Sequence, residues 1–484
     1  MNGPLRRLAV VAFALFASLL ASTTWIQFVS SGDLRGDGRN SRTLLEELGR
    51  ERGPILVGDT AVATSVPVDD RFQFQRTYDE GERYAHATGF YSVSFGASGI
   101  EEAASDLLTG TSDEQFYRRI SDLLTGTEPQ GAAITLTLDP QAQAAAADAL
   151  GDQRGAVVAL DPGTGAILAM VSSPTFDPDE MATHDIDAAN AARQALLEDP
   201  ADPLVNRAIA GNLYPPGSVF KIVTAAAALE DGGLDEDSVL PGPAVLDLPQ
   251  TDADLPNSSG SACGSGDQVS LTNALRISCN TTFGYLGMEL GGDVLAAQAE
   301  AFGFDQRLRV PLRVTPSSVP AELTPPQEAQ AAIGQFDVRV TPLQVAMVSA
   351  AVANGGDLMR PSLVAEVRAP DLDLIDRLTP QSMGRAVSGD TAEALTRMMV
   401  EVVEDGTGTA ARISGIDVAG KTGTAQHATD RSPHAWFTAF APADDPQVAV
   451  AVVVEEGGSA GDEASGGRTA APIARDVIEA VVSR

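Results

Sequence analysis

The sequence predicts an α+β protein whose antiparallel sheet takes strands from both ends of one long stretch of chain. Two apolar runs, Gly155–Leu160 and Ala166–Val171, surround a turn at 161–165, which is typical of a buried β-hairpin. Two more apolar, strand-like runs come late, at Ala435–Phe440 and Val448–Val454. Strands at both ends with helices between them indicate one α+β domain of roughly 330 residues.

Helices are predicted from alanine-rich and apolar runs between and around these strands. Asp139 is a predicted N-cap and opens a helix through Leu150. Val219–Leu229 reads as a buried helix closed by two glycines, and Thr341–Ala353 as another. We expect the helices after Ser218 and around 341–353 to cover the faces of the sheet, and a terminal helix over 472–482.

The N-terminus predicts a membrane anchor. Arg6 and Arg7 precede an uncharged segment from Leu8 to Gly32 whose apolar part is long enough to span a bilayer once. The basic end should stay cytoplasmic, which places the rest of the chain outside the cytoplasm. A cleaved signal peptide is the alternative, since small residues at 17–18 and 21–22 could be cleavage sites.

With 484 residues the chain is long enough for two or three domains. We expect a cytoplasmic stub and transmembrane signal-anchor at 1–32. A smaller mixed domain would occupy 33–150, and a larger domain would occupy 151–484.

The net charge of −34 excludes nucleic acid as a partner, because no basic patch is available to replace condensed counterions.

The use of lysine in the sequence indicates more about function than the net charge does. The chain has 30 arginines but two lysines, Lys221 and Lys421. Arginine does not give up its proton in a protein, whereas a buried lysine can. The two lysines therefore mark positions where proton transfer or compact shape matters.

Ser218 and Lys221 lie three residues apart, directly after the stiff sequence Pro215-Pro216-Gly217. In a helix this spacing puts both side chains on one face, one turn apart. A serine hydroxyl beside a lysine amine at the positive end of a helix can act as nucleophile and base. Alone, a Ser-x-x-Lys pattern is expected by chance in a chain of this length.

Two further motifs follow in order: Ser278-Cys279-Asn280 and Lys421-Thr422-Gly423-Thr424. A set of Ser-x-x-Lys, Ser-Asp-Asn and Lys-Thr-Gly motifs is found in penicillin-binding proteins and class A β-lactamases, and this chain differs from it in the middle residue of the second motif. The chain resembles a class B penicillin-binding protein, a monofunctional peptidoglycan D,D-transpeptidase. The resemblance implies that 151–484 is the catalytic domain, with a penicillin-binding, serine β-lactamase-like transpeptidase fold. It also implies that the smaller domain at 33–150, which follows the anchor, is a non-catalytic pedestal or dimerisation module.

The resemblance also implies roles for the motif residues. Ser218 would attack the carbonyl between the terminal D-alanines of a stem peptide, with Lys221 as base. Ser278 and Asn280 would relay a proton and hold the substrate amide, and Lys421 would set the electrostatic field around Ser278 and the substrate carboxylate. Thr422 and Thr424 would hydrogen-bond the substrate carboxylate, and Gly423 would permit a close approach of the substrate. The backbone N–H groups of Ser218 and Thr424 would form the oxyanion hole.

The middle residue of the second motif is Cys279 rather than the aspartate of the usual pattern. Cys263 is the only other cysteine in the sequence, and the expected compartment is oxidising. We therefore predict a Cys263–Cys279 disulfide. In the chain-entropy model such a loop contributes about 3 kcal/mol to stability, and it would fix the loop that carries Ser278 and Asn280.

The resemblance implies stem peptides, β-lactam antibiotics and the plasma membrane as partners, with a glycosyltransferase and division-complex proteins as further candidates. No metal or cofactor is expected. A β-lactamase shares the chemistry but lacks an N-terminal module of this size, and a D,D-carboxypeptidase differs only in using water as acceptor. About 120 residues are too few for a glycosyltransferase domain. A membrane-anchored sensor or division scaffold is the non-enzymatic alternative.

Overall fold

The structure is a computed structural model and describes residues 2–25, 49–112, 130–211, 213–426 and 431–483. By internal contacts the chain divides into two units. Residues 1–51 and 66–75 form the first, and residues 52–65 and 76–484 form the second, which holds the three motifs.

The strands within the described ranges belong to two larger sheets and several two-stranded ribbons. In chain order they are β1 Ile55–Val57, β2 Thr60–Pro67, β3 Phe74–Tyr78, β4 Tyr91–Ser92, β5 Gly96–Ala97, β6 Ala133–Leu136, β7 Gly155–Leu160, β8 Ile167–Ser173, β9 Val239–Pro241, β10 Val245–Asp247, β11 Asp254–Pro256, β12 Gln268–Ser270, β13 Asp357–Met359, β14 Val364–Arg368, β15 Leu374–Arg377, β16 Ser382–Arg385, β17 Ala419–Ala425, β18 His434–Ala441 and β19 Val448–Val454.

The α-helices of the same ranges mostly lie between β8 and β17. In chain order they are α1 Asn2–Thr24, α2 Gly81–Thr88, α3 Gly99–Ala103, α4 Ser105–Leu108, α5 Pro140–Leu150, α6 Pro178–Ala182, α7 Ile186–Glu198, α8 Lys221–Glu230, α9 Leu271–Arg276, α10 Asn280–Leu290, α11 Gly292–Ala301, α12 Pro325–Ala331, α13 Pro342–Ala353, α14 Gly389–Asp405 and α15 Ala471–Val482.

A five-stranded antiparallel sheet in the order β17-β18-β19-β7-β8 forms the centre of the second unit. The hairpin predicted around 161–165 is β7–β8, with Gly155 opposite Ser173. Both late runs are strands, and β19 pairs β18 on one side and β7 on the other. The α+β prediction is confirmed, and β17, which carries the third motif, lies at one edge.

The two faces of this sheet are covered by different helices. Helix α13 packs on one face, where Ser349 Oγ lies 2.6 Å from Thr438 Oγ1 of β18. Helices α5 and α15 cover the other face and share its apolar core. The expectation that the helix after Ser218 covers a face is wrong, because α8 packs mainly against the helices α10, α11 and α14. Its uniformly apolar surface suits burial among helices as well as burial on a sheet.

A six-stranded sheet in the order β15-β14-β6-β1-β2-β3 combines distant parts of the chain. Strand β6 pairs in parallel with β1 on one side and antiparallel with β14 on the other. Strands β14 and β15 follow β6 by more than 200 residues in the sequence. Sheet membership therefore does not follow chain order at this point.

Three buried charged residues beside the six-stranded sheet form a network of ion pairs. Glu101 of α3 is fully buried and is paired with Arg52 and Arg76, which are themselves almost fully buried. Burial alone would raise the pKa of the Glu101 carboxyl, but Arg76 and then Arg52 hold that pKa below its ordinary value. Each charge has an opposite charge beside it, which is the condition under which buried ions are tolerated.

Helix α1 contains a 19-residue stretch, Arg6–Thr24, that is long and apolar enough to cross a membrane. Its large apolar side chains are exposed, among them Leu8, Phe13 and Leu20. This helix suggests a membrane anchor. The part of the predicted segment that follows Trp25 lies outside the described residues.

Candidate active site

Ser218 lies in a 3-10 turn, Gly217–Phe220, that runs directly into α8. Gly217 adopts φ +56°, which glycine adopts without strain, and the turn is closed by a hydrogen bond from Gly217 N to Gly334 O of 2.9 Å. Between Tyr214 and Ala228, Ser218 alone is partly exposed, and every other side chain of that run is buried. The turn thus presents one hydroxyl at the surface of an otherwise buried segment.

Lys221 lies one turn further along, and its side chain is fully buried. Its Nζ donates to Ser278 O at 2.8 Å, to Asn280 Oδ1 at 2.7 Å and to Ser278 Oγ at 3.3 Å. These three acceptors match the three donors of an ammonium group. No hydrogen bond joins Lys221 Nζ to Ser218 Oγ within the described part of the chain.

Lys421 of β17 reaches the same hydroxyl from the other side. Its Nζ donates to Ser278 Oγ at 2.9 Å and to Thr422 O at 3.0 Å. A hydroxyl has two lone pairs and one proton. Since both lone pairs of Ser278 Oγ face lysine N–H groups, its own proton is directed away from the lysines.

Burial perturbs the titration of both lysines. It lowers the pKa of Lys221 well below the ordinary range, and the nearby charge of Lys421 lowers that pKa further. Burial also lowers the pKa of Lys421, to about 7. Taking an ammonium out of water disfavours its charged form, so a neutral amine is accessible here near neutral pH.

Strand β17 packs against the turn that carries Ser218. A Cβ on Gly423 would lie 2.9 Å from Trp436 Cβ and 3.0 Å from both Pro216 O and Val219 Cγ1. A Cβ on Gly217 would lie 2.7 Å from Thr424 O. The glycine of the third motif therefore permits a close approach of strand and turn, whereas the sequence suggested an approach of substrate.

The two threonines of the third motif differ in exposure. The Thr422 side chain is buried, and its Oγ1 shares a hydrogen bond of 2.6 Å with Thr407 Oγ1. Thr424 is exposed at the edge of the sheet. Thr407 is an addition to the site that no motif identified, because nothing in its local sequence marks it as a partner of β17.

The structure joins Cys263 and Cys279 in a disulfide, with Cα atoms 6.0 Å apart. Cys279, the residue between Ser278 and Asn280, is almost fully buried. Ser278 itself has φ +61°, in the left-handed region that a serine seldom occupies. The loop that holds the second motif is thus constrained covalently at its centre.

A second constraint on this loop is Asn257, which the sequence did not reveal. Its Oδ1 accepts the N–H groups of Asn280 at 2.9 Å and Thr281 at 3.1 Å. Its Nδ2 donates to Pro243 O at 2.9 Å and Ser261 O at 3.0 Å. Asn257 therefore serves the first N–H groups of α10, as an N-cap would, from a distant part of the chain. No pattern in the sequence signals a contact of this kind.

Replacing both Cys263 and Cys279 by serine should lower the thermal midpoint of the protein and slow acylation. The reason is the loss of about 3 kcal/mol in the chain-entropy model, together with a looser position for Ser278. Differential scanning calorimetry and penicillin acylation kinetics would measure both effects. An unchanged midpoint, or two titratable thiols in native, non-reduced protein, would contradict this expectation.

Across the described ranges, no group of three or more His, Cys, Asp or Glu side chains is arranged to hold a metal ion. The side chains that meet at the site are hydroxyls, amines and an amide. Four of the predicted residues meet directly, namely Lys221, Ser278, Asn280 and Lys421. Ser218 and Thr424 are brought close through their backbone neighbours.

Comparison with known families agrees with this geometry. Residues 155–479 match the penicillin binding protein transpeptidase domain. Residues 52–134 match the penicillin binding protein A dimerisation domain. The first match alone covers more than half of the chain, and it includes all three motifs.

Related proteins extend the likeness to full length. The chain is 45% identical to peptidoglycan D,D-transpeptidase PbpA of Mycolicibacterium smegmatis, covering 100% of this chain and 99% of the relative. PbpA of Mycobacterium tuberculosis is 44% identical over 100% of this chain and 99% of its own.

A ceftriaxone acyl-enzyme complex of M. tuberculosis penicillin-binding protein A superimposes with a TM-score of 0.87 at 44% identity, covering 90% of this chain and 100% of that one. Another solved structure of that protein is a penicillin G acyl-enzyme complex, with a TM-score of 0.84. The chain therefore belongs to the penicillin-binding protein transpeptidases, and among them to the class B proteins that resemble penicillin-binding protein A.

Proposed function

We propose that this protein is a peptidoglycan D,D-transpeptidase that cross-links stem peptides during cell-wall synthesis through an acyl-enzyme on Ser218, and that β-lactams inhibit it by acylating the same serine. One observation carries the proposal. The two lysines of the sequence, both fully buried, donate to the hydroxyl of Ser278, and one of them, Lys221, follows Ser218 by one turn along the chain. The names and acyl-enzyme complexes of the relatives support it.

In the acylation step, neutral Lys221 takes the proton of Ser218 as Oγ attacks the carbonyl carbon between the two terminal D-alanines. A new Oγ–C bond forms, and the carbonyl oxygen becomes an oxyanion held by the N–H groups of Ser218 and Thr424. Such a donor contributes about 3 kcal/mol to transition-state stabilisation. Low proton affinity of the buried Lys221 suits it to act as a base near neutral pH.

Collapse of the intermediate breaks the C–N bond and releases D-alanine. The departing nitrogen takes the proton of the Ser278 hydroxyl, which is directed away from the two lysines. Ser278 regains a proton from the Lys221 ammonium, whose Nζ lies 3.3 Å from Ser278 Oγ, so that Lys221 is neutral again. Asn280 holds the substrate amide, and the third motif holds the terminal carboxylate through Thr422 and Thr424.

In the second step an amine of a neighbouring stem peptide attacks the ester carbonyl and gives up a proton to neutral Lys221. The new C–N bond forms, the bond between Ser218 Oγ and the acyl carbon breaks, and Lys221 returns the proton to Ser218 Oγ.

A time course of intact-protein mass after penicillin treatment tests this function on the full-length protein. A lasting adduct of one penicilloyl group is expected, because a transpeptidase does not activate water against its acyl-enzyme. Rapid loss of the adduct with regeneration of free protein would indicate a β-lactamase. Incubation with a donor peptide and an acceptor amine then separates transpeptidation, which yields cross-linked product, from carboxypeptidation, which yields only the hydrolysed donor.

We further propose a division into an anchor at 1–32, a non-catalytic module at 33–150 and a catalytic region at 151–484. The apolar helix α1, with Arg6 and Arg7 near its start, supports a single membrane span. Its basic end would lie in the cytoplasm and the catalytic region outside it. The match of 52–134 to a dimerisation domain supports a docking role for the N-terminal module. A glycosyltransferase and division proteins are the partners that such a role would serve.

A further inference from the structure

Four arginines of the second unit differ from the others because they have no partner. Arg307, Arg309, Arg313 and Arg360 are exposed, and no ion pair, side-chain hydrogen bond or ring contact joins any of them to another residue of the described chain. Every other arginine described between 76 and 483 makes at least one such contact. The chain has 66 acidic residues against 32 basic ones, so unpaired arginines are unexpected in it. We call these four residues the arginine patch.

Three members of the patch come from one loop, residues 307–313. Arg309 and Arg313 are partners in an antiparallel β-bridge, so their side chains leave the same face of the loop. Arg307 precedes Arg309 by two residues, the spacing at which an extended chain returns to the same face. The stretch 306–321 contains no aspartate or glutamate. No carboxylate of the loop itself therefore neutralises these charges.

Arg360 belongs to a second loop that is joined to the first. Leu363 N donates to Val310 O at 2.8 Å, which holds the two loops together. Arg309 and Arg360 line the same cavity, whose volume is about 450 Å³. Apolar side chains from α4, β6 and β14 also line it: Leu107, Ile134 and Val367. The cavity thus combines an apolar lining with two unpaired guanidinium groups.

The carboxylates that line the cavity do not serve the patch. They are Glu366 and Asp376. Glu366 is paired with Arg368 and Arg377. Asp376 accepts the backbone N–H of Arg377 at 2.8 Å. Because neither carboxylate is paired with an arginine of the patch, the patch fits a ligand that brings carboxylates of its own.

The cavity lies far from the proposed catalytic groups. Ser362, which lines it, forms a parallel β-bridge with Ala166 beside the start of β8. Strands β8 and β17 are the opposite edges of the five-stranded sheet. Neighbouring strands lie about 4.8 Å apart, so the two edges are separated by about 19 Å. A ligand in the cavity would leave Ser218 accessible, which favours a docking role over a substrate subsite.

We propose that the arginine patch and this cavity form a docking surface for an acidic segment of another protein. Apolar side chains of that segment enter the cavity, and its carboxylates bind Arg309 and Arg360. Charge complementarity supports this occupant, because a guanidinium presents its N–H donors in a geometry that matches a carboxylate. The apolar lining favours a protein segment over lipid headgroups, which would bring charge alone. The proposal is independent of the proposed function, which uses none of these residues.

The test is binding of a fluorescein-labelled peptide to the full-length protein in nanodiscs of neutral lipid, measured by fluorescence anisotropy. The probe has about 12 residues in which glutamate alternates with leucine, so an extended chain is acidic on one side and apolar on the other. One reference peptide has glutamine for every glutamate, and another has serine for every leucine. The wild type should bind the probe at least about tenfold more tightly than either reference, and added salt should weaken that binding.

The double variant Arg309→Gln/Arg360→Gln should weaken binding of the probe by about tenfold or more. Arg385→Gln/Arg397→Gln is the matched control, because it removes the same charge from side chains that are 55% and 59% exposed. The control should bind the probe as the wild type does. Penicillin labelling should be unchanged in both variants, since neither pair belongs to the proposed catalytic site, and it reports that they fold.

No binding of the probe by the wild type would overturn the docking surface and leave the proposed function standing. Equal binding of the probe and the serine reference would also overturn it, because the cavity would then take no part. Equal weakening in both double variants would show a general effect of net charge, again contrary to the proposal.

Two further outcomes would assign the patch to a different occupant and so contradict the proposal. One is binding to phosphatidylglycerol vesicles, without binding of the probe, that Arg309→Gln/Arg360→Gln abolishes. That result would assign the patch to a membrane surface. The other is self-association in analytical ultracentrifugation, again without binding of the probe, that the same variant abolishes. That result would assign the patch to a second copy of this chain.

Discussion

Ser218→Ala should abolish covalent labelling by a fluorescent penicillin. Alanine has no atom that can form the ester, and no neighbouring hydroxyl occupies the partly exposed position that Ser218 has in its turn. Gel fluorescence and intact mass would measure the loss. Ser278→Ala is the informative companion, because it retains the nucleophile and removes only the proposed proton relay.

We therefore expect a slow adduct in Ser278→Ala and none in Ser218→Ala, with thermal unfolding confirming that both variants fold. Labelling of Ser218→Ala at the wild-type rate would remove Ser218 as the nucleophile. Complete absence of labelling in both variants, with both folded, would show that the hydroxyl of Ser278 is as necessary as that of Ser218.

Lys221→Arg should lower the acylation rate constant by about 10²–10⁴, the usual contribution of a general base. The substitution keeps the positive charge, but a guanidinium does not give up a proton at accessible pH. Because Lys221 is fully buried, the larger side chain could also disturb packing. Lys221→Met, which is neutral and of similar length, separates the two effects. Stopped-flow acylation by a chromogenic cephalosporin would measure the rates.

The pH profile of the wild type provides an independent check on the same assignment. Only neutral Lys221 is a base, so the rate should rise with pH through the Lys221 pKa and be lost below it. Burial, followed by the charge of Lys421, lowers that pKa, so the acid limb should lie well below the ordinary lysine range. The limb should be absent from Lys221→Met. A near-normal rate in Lys221→Arg, or an unchanged limb in Lys221→Met, would assign the base elsewhere.

The parts of the fold that depend on local sequence were predictable. The β7–β8 hairpin follows from two apolar runs around a turn, and α5 follows from Asp139, which accepts the N–H groups of Gln141 and Ala142. The helices that cover each face of the five-stranded sheet were less predictable. Apolarity on all sides of α8 signals burial but not the surface that it contacts. The faces of the sheet are covered instead by α13 on one side and by α5 and α15 on the other.

In the site, residues with unusual chemistry were predictable and their supports were not. The two lysines stand out because the other cationic residues among the 32 are arginines. In the structure both lysines donate to the hydroxyl of Ser278. Asn257 and Thr407 act through contacts that close loops of 23 and 15 residues. Such contacts require the tertiary fold, because an asparagine or threonine in a loop has many local uses.

The pairing of β6 with β14 bears on how the protein can be divided. A fragment that began at residue 151 would retain β14 and β15 but lose β6, leaving a row of backbone N–H and C=O groups without partners. Exposed strand edges of this kind recruit other strands and promote aggregation. The same pairing joins β6, at the end of the stretch that matches the dimerisation domain, to a segment between α13 and α14, within the stretch that matches the transpeptidase domain. Removing the first 150 residues would therefore alter a sheet that takes β14 and β15 from the transpeptidase-domain match itself.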